Sequence, residues 1–551
     1  MAVSDTLCVE EGLGLAWQEF AFSDALGVAL LGFFLSVFLA PLLLRRYQRK
    51  VEMLMQGTSE AQQDDKPPDS ADHKQDRTSS ADDLVGDART SSDALLRGID
   101  QQSVRASSAL KSAATVFGVI AWVTLVGASA FYQAFDRSDF LAWVWESLHY
   151  LVIVTVAIVP LIVIETPVRG QKVWLFGAIA TLIALITIEL LMDTSMSIEE
   201  RIGLSTVGAL MLGVIYVAII GRRLRNAVPL MTLWLMALLL PIFPVASFFT
   251  VIETCESDNI AILGAFAGLG LLWLFARWGF RLTAKVAVAY ERQKFSDAQF
   301  RITLWSIVFA LLLVMEATPD DDDVIMSFWG LGIVVAYWAG AVVYRRGLQA
   351  MSAWPHPQAM LMLRVFSNEK GVQNLLDDVS GRWSFVGPIY LVGGPDLAKA
   401  YLEPHELLLF LQRRLKNLFV LSRADLNDRL QKLELRADPD TRYRVNEFFC
   451  HDDTWKPTVI ALLDRVQVIL LDLRGFVNED SGTAYELDLL ARTGMLRRTV
   501  FLQDEFTSEK IVAKIIDEHY DGTIGEKQIV RVDRNTTVDA VVQRLCHTEL
   551  L

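Results

Sequence analysis

The sequence predicts an α-helical polytopic membrane region of about nine spans, followed by a C-terminal α/β domain with an open, mostly parallel sheet. Three observations carry this reading. Apolar residues make up 52% of the 551 positions, charged residues only 21%, and mean hydropathy is +0.34; soluble domains stand near about 25% charged. Long apolar runs recur through the first two thirds of the chain. From about residue 353 the pattern changes to short β-branched or aromatic runs alternating with helical stretches, as in a parallel sheet covered on both faces.

Residues 1–23 carry Asp5, Glu10, Glu11 and Glu19 without a Lys or Arg, so no cleaved signal peptide is expected, because such a segment begins with basic residues. The first apolar run, 24–44, ends in Arg45, Arg46, Arg49 and Lys50. Residues 51–110 contain no Phe, Trp or Tyr and are crowded with Ser, Asp, Gln and Ala. Burial there cannot offset chain entropy, so a disordered cytoplasmic linker is expected. Further runs long enough to cross about 30 Å of hydrocarbon fall near 112–135, 143–165, 173–192, 202–221, 228–252, 260–280, 302–318 and 324–344. Eight or ten spans also fit, since 302–318 is short and 143–165 carries Pro160.

The expected domains are thus 1–50 (outer tail and first span), 51–110 (linker), 111–346 (a bundle of eight spans) and 353–551 (the α/β domain). With the amino terminus outside, the outer loops hold only Arg137 and Arg201, whereas the short inner segments hold sixteen basic residues. The positive-inside bias therefore predicts a multi-pass inner-membrane protein with a cytoplasmic C-terminal domain. The net charge of −14 argues against nucleic acid as a partner. No Cys/His spacing marks a metal site. Cys8 and Cys255 fall on the expected outer side, as a disulfide or as two free thiols.

Within 353–551 the expected strand–helix pairs are 361–366 with 369–380, 388–392 with 396–416, 443–449 with 454–464, 466–472 with 483–493, 499–503 with 508–517, and 528–532 with 538–545. Ligands of such sheets sit beyond the carboxyl ends of the strands, and two ends are distinctive. The first breaks from an apolar strand into Gly393, Gly394, Pro395 and Asp396. It reads either as bare backbone and a helix amino end offered to an anion, or as a tight turn with Asp396 as helix cap. The second runs through Asp472, Arg474, Gly475 and Phe476 to Gly482, Tyr485 and Glu486. A carboxylate at Glu486 is placed to stabilise, or attack, a ribosyl C1′ as its base leaves, and Arg474 to hold a phosphate or to fix Asp472. The plainer alternatives are an acid in a helix's first turn and a structural Asp472–Arg474 pair. His451-Asp452-Asp453 reads as a loop, with Asp453 or Thr454 capping the next helix.

The stretch 389–395 resembles the first strand of nucleoside 2-deoxyribosyltransferase-like proteins, and 480–487 resembles their Asp-x-Gly-Thr-x-x-Glu motif, with Asp488 where that family has Gly. The step Tyr485-Glu486-Leu487 is also similar to that of Toll/interleukin-1 receptor (TIR) domains. The cytoplasmic pattern, including 445–455 and 472–476, resembles a broader set of bacterial proteins, a likeness that does not reach the membrane part. The likeness covers roughly 360–520, and the insertion 417–442 has no counterpart in it.

The resemblance implies a catalytic Glu486, with Gly393, Gly394, Pro395, Asp396, Asp472, Arg474, Gly475, Phe476, Gly482 and Tyr485 lining a nucleotide or nucleoside site. It implies no bound cofactor, NAD being a candidate substrate. The implied activity is that of an NAD(P) glycohydrolase or a deoxyribosyltransferase-type N-glycosidase within a signalling or defence effector. The implied partners are the lipid bilayer and further copies of the chain. Two other functions are open: a non-catalytic nucleotide-binding or TIR-like interaction module coupled to a membrane sensor, and a transporter or channel with a regulatory tail.

Overall fold

The computed structural model describes residues 22–55, 85–136, scattered positions of 144–162, 227–239, 258–316, 327–353, 357–364, 370–393, 404–433, 435–451, 453–479, 481–520 and most of 525–548. By its contacts the chain divides into a helical unit (1–45, 107–347 and 402–412) and an α/β unit (46–106, 348–401 and 413–551).

The described helices that contribute to the helical unit are α1 (Phe22–Met55), α2 (Val85–Asp136), α3 (Ala227–Leu239), α4 (Asp258–Glu291), α5 (Asp297–Glu316), α6 (Ser327–Gln349) and α8 (Pro404–Leu411). Small residues let α2 and α6 approach closely. A Cβ built on Gly340 would lie 3.1 Å from Phe117 Cβ, and one on Gly347 would lie 2.6 Å from Ala109 Cβ. Polar side chains are satisfied inside the unit: Ser36 and Thr232 share a buried 2.7 Å hydrogen bond, and Trp234 Nε1 donates to Thr283 at 3.2 Å.

The expected nine-span region is corrected here. Among the described residues one helical stretch, Leu95–Ala128, is long and apolar enough to cross a membrane; the mean hydropathy of its most apolar window is 1.8, and 44% of that window is buried. The structure shows why apolar runs overstate spans. Several are continuous with charged turns of the same helix, such as Arg45, Arg46, Arg49 and Lys50 in α1, Arg277, Arg281 and Lys285 in α4, Asp297 and Arg301 in α5, and Arg345 and Arg346 in α6. The runs at 173–192 and 202–221, with Cys8 and Cys255, lie outside the described residues.

The linker expectation also changes. Residues 56–84 lie outside the described residues, but 85–110 belong to α2, and Leu95 and Ile99 enter the core of the α/β unit. Their i, i+4 spacing puts both on one helix face. Two aliphatic side chains suffice there without an aromatic residue, whose absence had pointed to disorder.

The α/β unit holds a seven-stranded sheet, β1 (Met360–Arg364), β2 (Ile389–Gly393), β3 (Phe419–Val420), β4 (Val445–Cys450), β5 (Val468–Asp472), β6 (Thr499–Gln503) and β7 (Ile529–Arg531), in the order β3-β4-β2-β1-β5-β6-β7. Every pairing is parallel. Near-continuous apolar strands such as Met360–Leu363 and Val468–Leu471 are what a sheet buried on both faces requires, and alternate residues go to opposite cores.

Leu361, Leu363, Tyr390, Val392, Ile469 and Leu471 pack on one face against α9 (Arg423–Gln431), α10 (Trp455–Leu463), α11 (Gly482–Arg492) and α12 (Glu509–Asp517). Met360, Met362, Ile389, Leu391, Val468 and Leu470 pack on the other against α7 (Lys370–Trp383), α13 (Val538–Thr548) and the start of α2. Arg382 ties that second layer together through Asp100 of α2 and Asp539 of α13.

The insertion 417–442 supplies β3 and α9, an edge the sequence pattern did not reveal because β3 is only two residues long. Of the expected helix 396–416, Pro404–Leu411 form α8, but the chain turns at 412–414 and Leu415–Leu418 form a 3-10 helix; 396–403 lie outside the described residues. Gly387, before β2, is fixed by close approach: a Cβ there would collide with the Gln358 backbone.

Candidate functional site

Strand order reverses at β1, which has β2 on one side and β5 on the other. Such a switch point opens a crevice at the carboxyl ends of the strands. Arg364 and Asp472, the last residues of β1 and β5, are in register there.

The loop after β5 is held by hydrogen bonds. Asp472 Oδ1 and Oδ2 accept from Arg474 Nε and a terminal guanidinium nitrogen at 2.8 and 2.7 Å, and Oδ1 also accepts from the Arg474 backbone N–H at 3.2 Å. The side chains of both are buried. A forked, desolvated pair of this kind fixes geometry, so the structural-pair alternative describes what is seen. Gly475 lies in the left-handed region at φ +72°, where a side chain would be strained, and its N–H donates to Asp504 Oδ1 at 2.9 Å. Phe476 is a core residue whose carbonyl accepts from Ser508 N at 2.8 Å. Gly475 and Phe476 thus strap the β5 loop to the β6 loop.

Ser481 caps α11, its hydroxyl accepting from Ala484 N at 3.2 Å. Counted from that cap, Glu486 is the fifth helical residue, beyond the first turn in which the sequence reading had placed it; the first turn has no acid. The dipole therefore gives a weak reason for its presence, because the effect fades within that turn. Thr483, Ala484, Leu487, Leu490 and Ala491 form the inward face of α11, and α11 packs on β1. Glu486 points into this apolar layer at 1% exposure, with no hydrogen-bond partner for Oε2 among the described residues. Burial alone pushes its carboxyl up to about 8. Tyr485 sits edge-on to Trp455 of α10, ring centroids 5.3 Å apart, with Lys456 Nζ 4.6 Å from the Tyr485 centroid.

Gly393 ends β2, buried and in register with Phe449. Gly394, Pro395 and Asp396 lie outside the described residues, so the anion and cap alternatives for that bend stay where the sequence left them. Gly482 opens α11 as expected. Asp488 is engaged by Arg492 and by His519 at 3.3 Å, a structural reason for an acid where the resembled motif has Gly.

One residue was missed. His451 follows β4, is 6% exposed, and has no hydrogen-bond partner for either ring nitrogen among the described residues. Its ring lies 5.3 Å from that of Phe419. The available signal was its place directly after a buried strand. Thr454 does precede α10, but its side chain makes no cap bond; Thr454 Oγ1 instead accepts from His451 N at 2.9 Å.

Burial pushes the neighbouring Cys450 thiol up to about 11, which suppresses thiolate at neutral pH. Among the described residues no three His, Cys, Asp or Glu side chains converge as metal ligands. An open cavity of about 400 Å³ lies at β7, lined by Arg531, Thr536, Thr537 and Arg544 among others; β5 and β6 lie between that strand and β1.

Compared with protein-family models, curated proteins and solved structures, the chain matches none.

Proposed function

We propose that the α/β unit binds a nucleotide at the carboxyl edge of β1, β2 and β5 and cleaves its N-glycosidic bond through Glu486, as part of a membrane-anchored signalling or defence effector. The observation that supports this most directly is the buried carboxyl of Glu486, on a helix that packs on β1, whose Oε2 has no hydrogen-bond partner among the described residues. A buried polar group without a partner calls for an explanation, and perturbed carboxyls in crevices concentrate at active sites.

With NAD as substrate, the bond from C1′ to the pyridinium nitrogen breaks and its electron pair stays on nitrogen, so nicotinamide leaves neutral. The Glu486 carboxylate stabilises the positive charge at C1′ or bonds to it. Water then adds to C1′ and releases one proton, giving the hydrolysed ribosyl product. The low-dielectric surroundings strengthen the attraction between carboxylate and cation, and a cationic ligand favours loss of the Glu486 proton. The Asp472–Arg474 fork and the Gly475–Phe476 strap hold the loop that carries this site. The part of Leu95–Ala128 that belongs to the helical unit, 107–128, serves as anchor with the α/β unit on the cytoplasmic side, and self-assembly brings sites together.

The test uses the full chain in detergent micelles, incubated with NAD and with nucleosides, with free base measured by chromatography. Release of base by the wild type and its loss in Glu486→Gln supports the reading. Absence of release from the wild type at every protein concentration refutes it. The second reading, binding without turnover, draws on the carboxyl being mostly protonated near neutrality; it is favoured when Glu486→Gln binds ligand as the wild type does and neither releases base.

A further inference from the structure

The edge of the sheet at β3 carries a charge that neither the fold nor the site at Glu486 uses. Residues 413–436 hold seven basic and three acidic residues, in a chain whose net charge is −14. Arg413, Arg414, Lys416, Arg423 and Lys432 are exposed, and none of the five has an ion-pair partner among the described residues. Arg429, by contrast, is committed to Asp425 Oδ2 and to the carbonyls of Asn417, Leu418 and Phe419. Two large apolar side chains stand among these bases, Leu421 at 42% and Leu435 at 53% exposure.

The backbone bears a cost at the same place. Arg413 lies in the left-handed region at φ +61°, in the turn between α8 and the 3-10 helix Leu415–Leu418. Glycine adopts that conformation without steric cost, whereas a side chain there is strained. Strain of this kind persists where something other than the turn itself calls for the residue. The turn is also where the chain leaves the helical unit, whose segment 402–412 ends one residue before Arg413. Four residues span at most about 14 Å, so Arg413, Arg414 and Lys416 all follow within that reach of chain from the unit that carries the proposed anchor.

We propose that this edge is a docking surface for the anionic headgroups of the bilayer in which the chain is anchored. Bases interleaved with exposed aliphatic side chains suit such a surface: the cations meet phosphate and carboxylate groups, and the aliphatic tips enter the headgroup boundary. Each base beside an anionic leaflet strengthens binding roughly fivefold, so several acting together hold an otherwise acidic chain against repulsion. A lipid layer fits better than nucleic acid, because Leu421 and Leu435 have no counterpart on a phosphodiester backbone. The inference rests on the membrane-anchored reading and adds to it the class of lipid that the α/β unit recognises.

The test uses the full chain in nanodiscs of phosphatidylcholine, with or without phosphatidylserine, each containing a lipid with a nitroxide headgroup. Cys8 and Cys255 are replaced by Ser, Cys450 and Cys546 being buried, and a fluorophore is attached at Leu435→Cys or, as control, at Phe506→Cys. Phosphatidylserine is expected to raise quenching at 435 twofold or more, an effect that salt screens and that replacement of the five bases by Gln abolishes. The label at 506 is expected to respond to neither. Arg413→Gly alone is expected to weaken the effect without loss of stability in denaturant, which separates the charge from the turn. Quenching at 435 that ignores phosphatidylserine, or that persists without the five bases, overturns the inference and leaves the anchored reading standing. If the chain does not enter discs, the anchored reading fails; flotation with phosphatidylserine vesicles that requires the five bases then still supports the inference, and its absence overturns it. Retention of a DNA duplex by the same bases, with no effect of lipid, assigns the edge to nucleic acid and also overturns it.

Discussion

Replacing Glu486 by Gln keeps the shape of the side chain and removes its proton equilibrium, and the consequence for stability follows from its burial. The folded carboxyl titrates near 8 against an ordinary 4.5. Between those values the folded chain retains a proton that the unfolded chain releases. Rising pH therefore favours unfolding: the penalty is absent below about pH 4.5 and complete above about pH 8. At 1.36 kcal/mol per pH unit the full penalty approaches about 5 kcal/mol. Gln carries no such penalty.

The free energy of opening, measured by hydrogen exchange on peptides across 466–493 of the full chain, is expected to differ little between Glu486→Gln and the wild type at pH 4.5. The variant's advantage should widen through pH 6 and 7 to several kcal/mol at pH 9. Parallel pH profiles would show that the carboxyl reaches water or a cation, and the argument from its burial would be lost.

Three further outcomes follow. If the carboxylate is the reacting form, kcat/KM for base release rises with pH to a plateau above about 8 in the free protein; a rate falling over that range would assign Glu486 as a proton donor instead. Arg474→Ala leaves Asp472 buried without its fork, and chemical denaturation should show a loss of about 3–5 kcal/mol, with a milder loss when Asp472 is replaced by Asn in the same chain. Gly387→Ala forces a Cβ into the Gln358 backbone and is expected to destabilise the α/β unit by about 1–3 kcal/mol, seen as faster exchange at β1 and β2.

The sheet was legible because a parallel strand buried on both faces is a short apolar run and little else in a sequence has that form. Six of the seven strands were placed from it. The edge strand β3 was not, since two residues carry no period. The burial of Glu486 was not legible either. Its place in Tyr-Glu-Leu says only that it lies on a helix, and it takes the packing of α11 on β1 to turn it inward. The burial of His451 was not legible, because the adjacent Asp452 and Asp453 made the stretch read as a polar loop. The membrane region failed in the opposite sense. Apolar runs were each counted as a span, whereas among the described residues only Leu95–Ala128 is long and apolar enough to cross a membrane.

A structural origin for Glu486 has to meet its energetic cost. A glutamate kept for the fold would be expected to cap a helix end, pair with a cation or bridge two elements, as Asp425 does for Arg429, Asp438 for Arg444 and Asp488 for His519. Among the described residues Glu486 does none of these. It stands beyond the capping turn, its Oε2 lacks a partner among the described residues, and its carboxyl is displaced by burial alone. Gln would fill the same volume without the charge. Near pH 7 the penalty is about 3 kcal/mol, still a sizeable share of a typical domain's stability of about 5–15 kcal/mol. An acid held at that cost without a structural return among the described residues supports the proposed reading, in which a group whose positive charge develops beside Glu486 is the ligand.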